Sequence, residues 1–197
     1  MSDRQTLHFY EENAVSYAQH RRRPSGEKLT AFLAALPAGA RILELGCGNG
    51  MDAEHMLAQG FEIDATDGTP ALVAEAQKRI GNSARLMHFA DLAAEAAYDG
   101  VWACASLLHV ESALLPDILA RVRRALRPSG VFVASFKAGT AEGRDSYGRY
   151  YNYPTASALK AAYRTAGWSD LTLETNMGGG FDALPTAWLW VTARQAG

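Results

Sequence analysis

From residue 40 onward short apolar runs alternate with amphipathic stretches, the pattern of a parallel sheet covered by helices on both faces. The apolar runs predict strands over 40–45, 61–66, 85–89, 100–105 and 130–136. The stretches between them predict helices over 51–59, 70–80 and 112–126. Upstream, Phe9, Tyr10, Ala14, Val15, Tyr17 and Ala18 recur at helical spacing, which predicts an amphipathic helix over 7–20 broken by Arg21, Arg22, Arg23 and Pro24. A second helix opens at Ser25 with Leu29, Phe32, Leu33 and Leu36 on its apolar face and closes at Pro37 and Gly39. The turn residues Arg127, Pro128, Ser129 and Gly130 separate the 112–126 helix from the strand that follows.

The last third reads differently. Residues 138–152 are rich in glycine, charge and tyrosine without either period, so they predict a long loop, a usual carrier of function. A helix over 154–166 and strands over 168–175 and 187–194 follow, the strands joined through Gly178, Gly179 and Gly180 as a closing hairpin. At 197 residues and 48% hydrophobic content, a single domain over 1–197 with a substantial core is expected.

The strand at 40–45 runs into Gly46, Gly48 and Gly50, three residues without a Cβ at alternate positions, which lets main chain turn tightly and approach a ligand. A dinucleotide fingerprint needs its third glycine three residues after the second, where Met51 stands, so the G-x-G-x-x-G pattern fails. The second strand ends at Asp67, followed by Gly68, Thr69 and Pro70. Thr69 is expected to cap the next helix, and Asp64, the rival carboxylate, falls inside the strand.

Composition removes several classes. Nineteen basic against twenty-one acidic residues give no bulk attraction to polyanions, which disfavours nucleic acid as a substrate. Cys47 and Cys104 form no C-x-x-C, so neither a disulfide framework nor a metal site is expected, and a reducing cytoplasm fits. The amino-terminal stretch lacks the apolar core of a signal peptide and no run of eighteen apolar residues occurs, so membrane attachment is not expected.

The pattern E-x-G-x-G-x-G from Glu44 to Gly50 resembles the first motif of class I S-adenosylmethionine-dependent methyltransferases. The other strand ends, over roughly 40–136, match that family in order. The resemblance implies a three-layer Rossmann-like fold with a mostly parallel seven-stranded sheet and an antiparallel strand in the carboxy-terminal hairpin. It implies S-adenosyl-L-methionine as cofactor, held by Glu44, Gly46, Cys47, Gly48 and Gly50, with Asp67 on the ribose hydroxyls beside Gly68 and Thr69. The turn at Ala90, Asp91 and Leu92 resembles the adenine-binding turn, and Ser106 and His109 are implied to face the transferable methyl group. The segment around Tyr10 and Tyr17 resembles the lid of small-molecule members, which places Tyr17 and Arg22 on the cofactor and makes 1–24 a lid helix. The loop over 138–153 is expected on the substrate side, with Arg144 and Arg149 as clamps for an anionic group and Tyr147, Tyr150 and Tyr151 as aromatic walls. His109 and Tyr150 are the candidate catalytic side chains.

The whole chain also resembles uncharacterised bacterial methyltransferase-domain proteins named by analogy with tellurite-resistance enzymes. A small-molecule acceptor and a monomer or weak homodimer are expected. A binding module without transfer and a methyltransferase acting on a macromolecule stay open. A short dehydrogenase is opposed by Met51 and by the lack of a Tyr-x-x-x-Lys relay.

Overall fold

A computed structural model of the chain describes residues 3–19, 25–179 and 185–197. The helices are α1 (Arg4–Gln19), α2 (Gly26–Ala34), α3 (Met51–Ala58), α4 (Pro70–Ile80), α5 (Leu115–Ala125) and α6 (Ala156–Thr165). The strands are β1 (Arg41–Leu45), β2 (Glu62–Asp67), β3 (Ala84–Leu86), β4 (Tyr98–Ala103), β5 (Leu126–Lys137), β6 (Gly143–Arg144), β7 (Tyr150–Tyr151), β8 (Asp170–Gly178) and β9 (Thr186–Arg194).

Seven strands form one sheet in the order β3-β2-β1-β4-β5-β9-β8. Pairing is parallel from β3 to β5 and antiparallel at β5–β9 and β8–β9, as expected from the sequence. The order reverses between β1 and β4, and the crevice outside their carboxyl ends is where ligands bind in such sheets.

The central strands are apolar on both faces because both are covered. In β5, Phe132, Ala134 and Phe136 pack with residues of α5 and α6, whereas Val131 and Val133 pack with Leu29, Phe32 and Leu33 of α2. Trp102 is fully buried between Phe32 and Trp190, and Phe132 lies against Tyr163 and Trp168.

Four expectations are corrected. The third strand is only Ala84–Leu86, and Phe89–Asp91 forms a 3-10 turn in its place. The 127–130 turn does not end an element but is an irregularity within β5. Leu126 pairs with Tyr98, the register then shifts so that Val131 pairs with Gly100, and Ser129 takes a positive φ of 66°. The helix expected from 112 starts at Leu115 with Pro116 in its first turn, where the missing N–H costs nothing. The loop over 138–153 carries a short antiparallel hairpin, β6–β7, with Arg149, Tyr151 and Asn152 buried.

Phe132→Ala is expected to destabilise the fold by about 3 to 5 kcal/mol, the cost of emptying a fully enclosed aromatic site. Urea unfolding monitored by far-UV circular dichroism checks this.

Candidate functional site

The crevice beyond β1 and β4 is an open cleft of about 580 Å³. Its floor is made by the glycine loop. Gly46 and Cys47 both donate their N–H to the Thr66 carbonyl, at 2.8 and 2.9 Å, which ties the loop to β2. Gly46, Gly48 and Gly50 all have positive φ. At Gly46 a Cβ would stand 2.4 Å from the Ser106 Cβ, so glycine is required by conformation and by space.

Asp67 ends β2 on the cleft wall, 7% exposed, with one carboxylate oxygen accepting from Gly48 N at 3.0 Å and the other from Thr69 N at 3.0 Å. Burial pushes its pKa up to about 6 against those N–H donors, which favour the charged form. Asp64 points elsewhere, held by Arg85 in a bidentate pair and by the Tyr98 hydroxyl. Thr69 occupies the cap position of α4 but makes no capping bond through its hydroxyl; its main-chain N–H serves Asp67 instead.

Of the residues implied by the sequence, Tyr17, Gly46, Gly48, Asp67, Gly68, Thr69, Ser106 and His109 come together on the cleft wall. Glu44 and Cys47 line a small neighbouring polar cavity that shares Gly46 with the cleft, and burial pushes the Cys47 thiol well up. Gly50 turns the chain into α3 against Ala76 of α4. The turn after β3 puts His88 and Phe89 on the wall rather than the expected Ala90 and Asp91. Asp91 is exposed, and Leu92 is buried in the core. Arg22 lies outside the described residues.

The roof is α1. Asp3, Thr6, Leu7, Tyr10 and Tyr17 line the cleft at helical spacing, so they form one face. That spacing was visible in the sequence but reads equally as a face packed on a core, and Thr6, Leu7 and Asp3 went unrecognised for that reason. Tyr17 lies 3.5 Å from where a Cβ on Gly48 would stand, and Asn49 donates to the Ala18 carbonyl at 3.0 Å.

At the other end of the cleft, His109 sits in a 3-10 turn after β4. Its Nδ1 is 2.6 Å from the Tyr150 carbonyl, which can only accept, so Nδ1 carries the proton and Nε2 presents a lone pair. The Tyr10 hydroxyl, 3.0 Å away, donates to that lone pair and in turn accepts from Arg149 Nη1 at 3.1 Å. Burial, then the Arg149 charge, pushes the His109 pKa down to about 3.

The expected clamps are otherwise engaged. Arg149 is 1% exposed, with Nε and Nη2 on Asp145 at 2.9 and 2.7 Å. Its guanidinium is surrounded by Phe9, Tyr10, Tyr147 and Tyr151. Arg144 pairs with Asp3 at 2.9 Å. Tyr150 directs its hydroxyl to Glu142, and it is its main-chain carbonyl, not its phenol, that serves His109.

Two polar atoms buried at the cleft, Ser106 Oγ and His88 Nδ1, have no hydrogen-bond partner among the described residues. Such atoms cost free energy unless something fills their bonding capacity. With the Asp67 carboxylate and the bare main chain of the glycine loop, they fit a ligand that carries hydroxyls and amines. No helix of the described residues is long and apolar enough to cross a membrane.

A family described as a methyltransferase domain matches residues 17–173. Ubiquinone biosynthesis O-methyltransferase of Xanthomonas axonopodis pv. citri is 38% identical over 104 residues, 48% of this chain and 41% of that protein. Trans-aconitate 2-methyltransferase of Variovorax paradoxus is 28% identical over 187 residues, 87% of this chain and 65% of that protein. The chain thus spans less than two thirds of the length of either relative. Among solved structures, a SAM-dependent methyltransferase from Methanosarcina mazei has a TM-score of 0.76 at 12% identity, over 88% of this chain and 99% of that one. A 1,6-didemethyltoxoflavin-N1-methyltransferase of Burkholderia thailandensis, solved with 1,6-didemethyltoxoflavin and S-adenosylhomocysteine, has a TM-score of 0.72 at 25% identity, over 100% of this chain and 92% of that one.

The two shifted titrations act on stability with opposite sign. His109 stays neutral in the fold down to about pH 3, whereas the unfolded chain takes up a proton below its ordinary 6.5, so its contribution falls as pH drops through that window. Asp67 keeps its proton up to about pH 6 in the fold but loses it near 3.8 when unfolded, so its contribution falls as pH rises from 3.8 to 6. His109→Gln should therefore lose less stability than the wild type between pH 6.5 and 4.5, read as urea midpoints at each pH.

Proposed function

We propose that this chain, which belongs to the methyltransferase-domain family and has the class I S-adenosylmethionine-dependent fold, binds S-adenosyl-L-methionine in the cleft and transfers its methyl group to a small-molecule nucleophile. The observation that carries the reading is the buried Asp67 carboxylate, held by Gly48 and Thr69 N–H on a wall whose other side is the glycine loop. A carboxylate so placed accepts from two vicinal hydroxyls, as a ribose offers. Ser106 Oγ and His88 Nδ1 supply the further polar contacts, and Tyr10 and Tyr17 close the roof. Relatives named for ubiquinone biosynthesis, trans-aconitate and 1,6-didemethyltoxoflavin support a small acceptor. Cys47 and Cys104, read as reduced thiols, suit a reducing cytoplasm.

When bound, the sulfonium supplies an electrophilic methyl group and a neutral thioether leaving group. Asp67, the glycine loop and Tyr17 would hold the cofactor, and the acceptor's lone pair would be the nucleophile. The chain's part is alignment and exclusion of water, which suffices for much of the rate. His109 is a poor final holder of the acceptor's proton. With its pKa near 3, protonating it at pH 7 costs about 5 kcal/mol. Its neutral Nε2 instead fixes the Tyr10 hydroxyl at the methyl end of the cleft, which makes His109 a positioning residue. An acceptor ionised before transfer, or one whose proton leaves to solvent, suits this site.

Three outcomes test the reading. Asp67→Ala should weaken S-adenosylhomocysteine binding by about 1.5 to 3 kcal/mol, the range for hydrogen bonds to a charged group; titration calorimetry that finds no loss removes Asp67 from the pocket. Because the ionised carboxylate is the accepting form and its pKa is about 6, wild-type affinity should fall several-fold from pH 7 to pH 5, and the Asp67→Asn variant should lack that dependence. His109→Ala should lower kcat by about tenfold or more through lost alignment while leaving S-adenosylhomocysteine affinity nearly unchanged, and equal losses in both would mark a packing role.

A further inference from the structure

The cofactor cleft has a neighbour of different character. A cavity of about 530 Å³ opens beside the ends of β4 and β5 against the β8–β9 hairpin, lined by Cys104, Ser135, Asn176, Gly178, Trp188 and Trp190. Ala105 lines both this cavity and the cleft, so the two meet at the turn that also carries Ser106. Pairing sets the layout. Ser135 lies opposite Trp190, and Trp188 lies opposite Asn176, so the two indoles, the hydroxyl and the amide stand on one face of the sheet. Trp190 is backed by the fully buried Trp102, with ring centroids 5.8 Å apart, which fixes one wall as a flat aromatic plate.

Charge is the discriminating feature. No lining side chain among the described residues is ionisable at neutral pH as a cation or a carboxylate. On the same sheet face Glu174, opposite Trp190, pairs with Lys28 at 2.7 Å. Lys137, opposite Trp188, is buried with its Nζ 4.8 Å from the centre of the Tyr151 ring and does not line the cavity. A carboxylate-bearing acceptor would be desolvated here with no cationic side chain among the described lining residues, which is costly, whereas a planar ring would stack on the indoles and meet hydroxyl and amide groups at its edge.

We propose that this cavity seats the methyl acceptor and that the acceptor is a flat, uncharged aromatic or heteroaromatic molecule, its nucleophilic atom directed past Ala105 toward the cleft. This rests on the cofactor reading above, and the test separates the two. The full chain is titrated with 2-naphthol as the neutral planar probe and with trans-aconitate as the anionic one, each with and without saturating S-adenosylhomocysteine. Tryptophan emission and calorimetry are the readouts. The expected result is that 2-naphthol binds and quenches emission, that Trp188→Leu and Trp190→Leu each weaken it at least tenfold while S-adenosylhomocysteine affinity stays within twofold, and that trans-aconitate does not compete. Asn176→Asp, an exposed substitution that leaves the core untouched, should also weaken a deprotonable or electron-rich ring several-fold. Binding of trans-aconitate as tight as that of 2-naphthol would overturn the proposal, as would 2-naphthol affinity indifferent to all three substitutions. Failure of S-adenosylhomocysteine to bind, with 2-naphthol still dependent on Trp188 and Trp190, would sink the cofactor reading and leave the aromatic site standing.

Discussion

The site depends on how closely main chain at the end of β1 can lie against main chain at the ends of β2 and β4. Gly46 meets Ser106 with no room for a Cβ, and the loop beyond it is drawn down by two N–H groups sharing the Thr66 carbonyl. The Thr66 hydroxyl donates back to the Glu44 carbonyl at 2.8 Å, so β1 and β2 are locked at the point where the sheet turns into a binding surface. Asp67 extends that lock by one residue, with its carboxylate spanning Gly48 and Thr69. The same group is thus a structural staple and a carboxylate acceptor on the cleft wall. Burying it raises its pKa toward neutrality, and ligand hydroxyls that favour the charged form would relieve part of that cost.

The roof is joined to every wall of the cleft. Glu11 accepts from Ala71 N at the start of α4, Ala18 O accepts from Asn49 in the glycine loop, Thr6 Oγ1 accepts from Tyr150 N, and Asp3 pairs with Arg144 of the β6–β7 hairpin. Tyr10 adds a contact to His109 in the turn after β4. A helix tied at so many points moves, if it moves, together with the hairpin. Exposed pairs such as Asp3–Arg144 contribute little each, and the buried set around Arg149 carries the geometry.

What the sequence disclosed, and what it did not, follows from what each signal physically encodes. Alternating burial and the absence of a Cβ are imposed locally, so the parallel core, the closing hairpin and the glycine loop were legible, as was Asp67 over Asp64, since periodicity alone puts Asp64 inside the strand. The cleft face of α1 was legible only in part: Tyr10 and Tyr17 were expected there from the lid resemblance, whereas Thr6 and Leu7 at helical spacing look the same whether they cover a core or a ligand. The short third strand and its turn brought His88 and Phe89 to the wall in place of Asp91, a displacement that residue types near the turn do not announce. The bulge in β5 was hidden because Pro128, Ser129 and Gly130 mark a turn without saying whether the strand resumes its partner.

Arg149 shows why loop charge is an unreliable guide to substrate charge. In sequence it stands in a polar, tyrosine-rich stretch and reads as a clamp. In the fold its guanidinium is enclosed by aromatic rings and neutralised by Asp145 four residues earlier, an arrangement that compensates for desolvation because each of its three nitrogens donates to a partner. Its bond to Tyr10 polarises that hydroxyl toward His109, and its positive field adds to burial, the larger cause, in holding the imidazole neutral. The charge is therefore spent on ordering the roof against the His109 end of the cleft. With Arg144 and Arg149 committed to the fold's own architecture, the acceptor proposed above would be recognised by shape and stacking, for which Trp188 and Trp190 offer a surface.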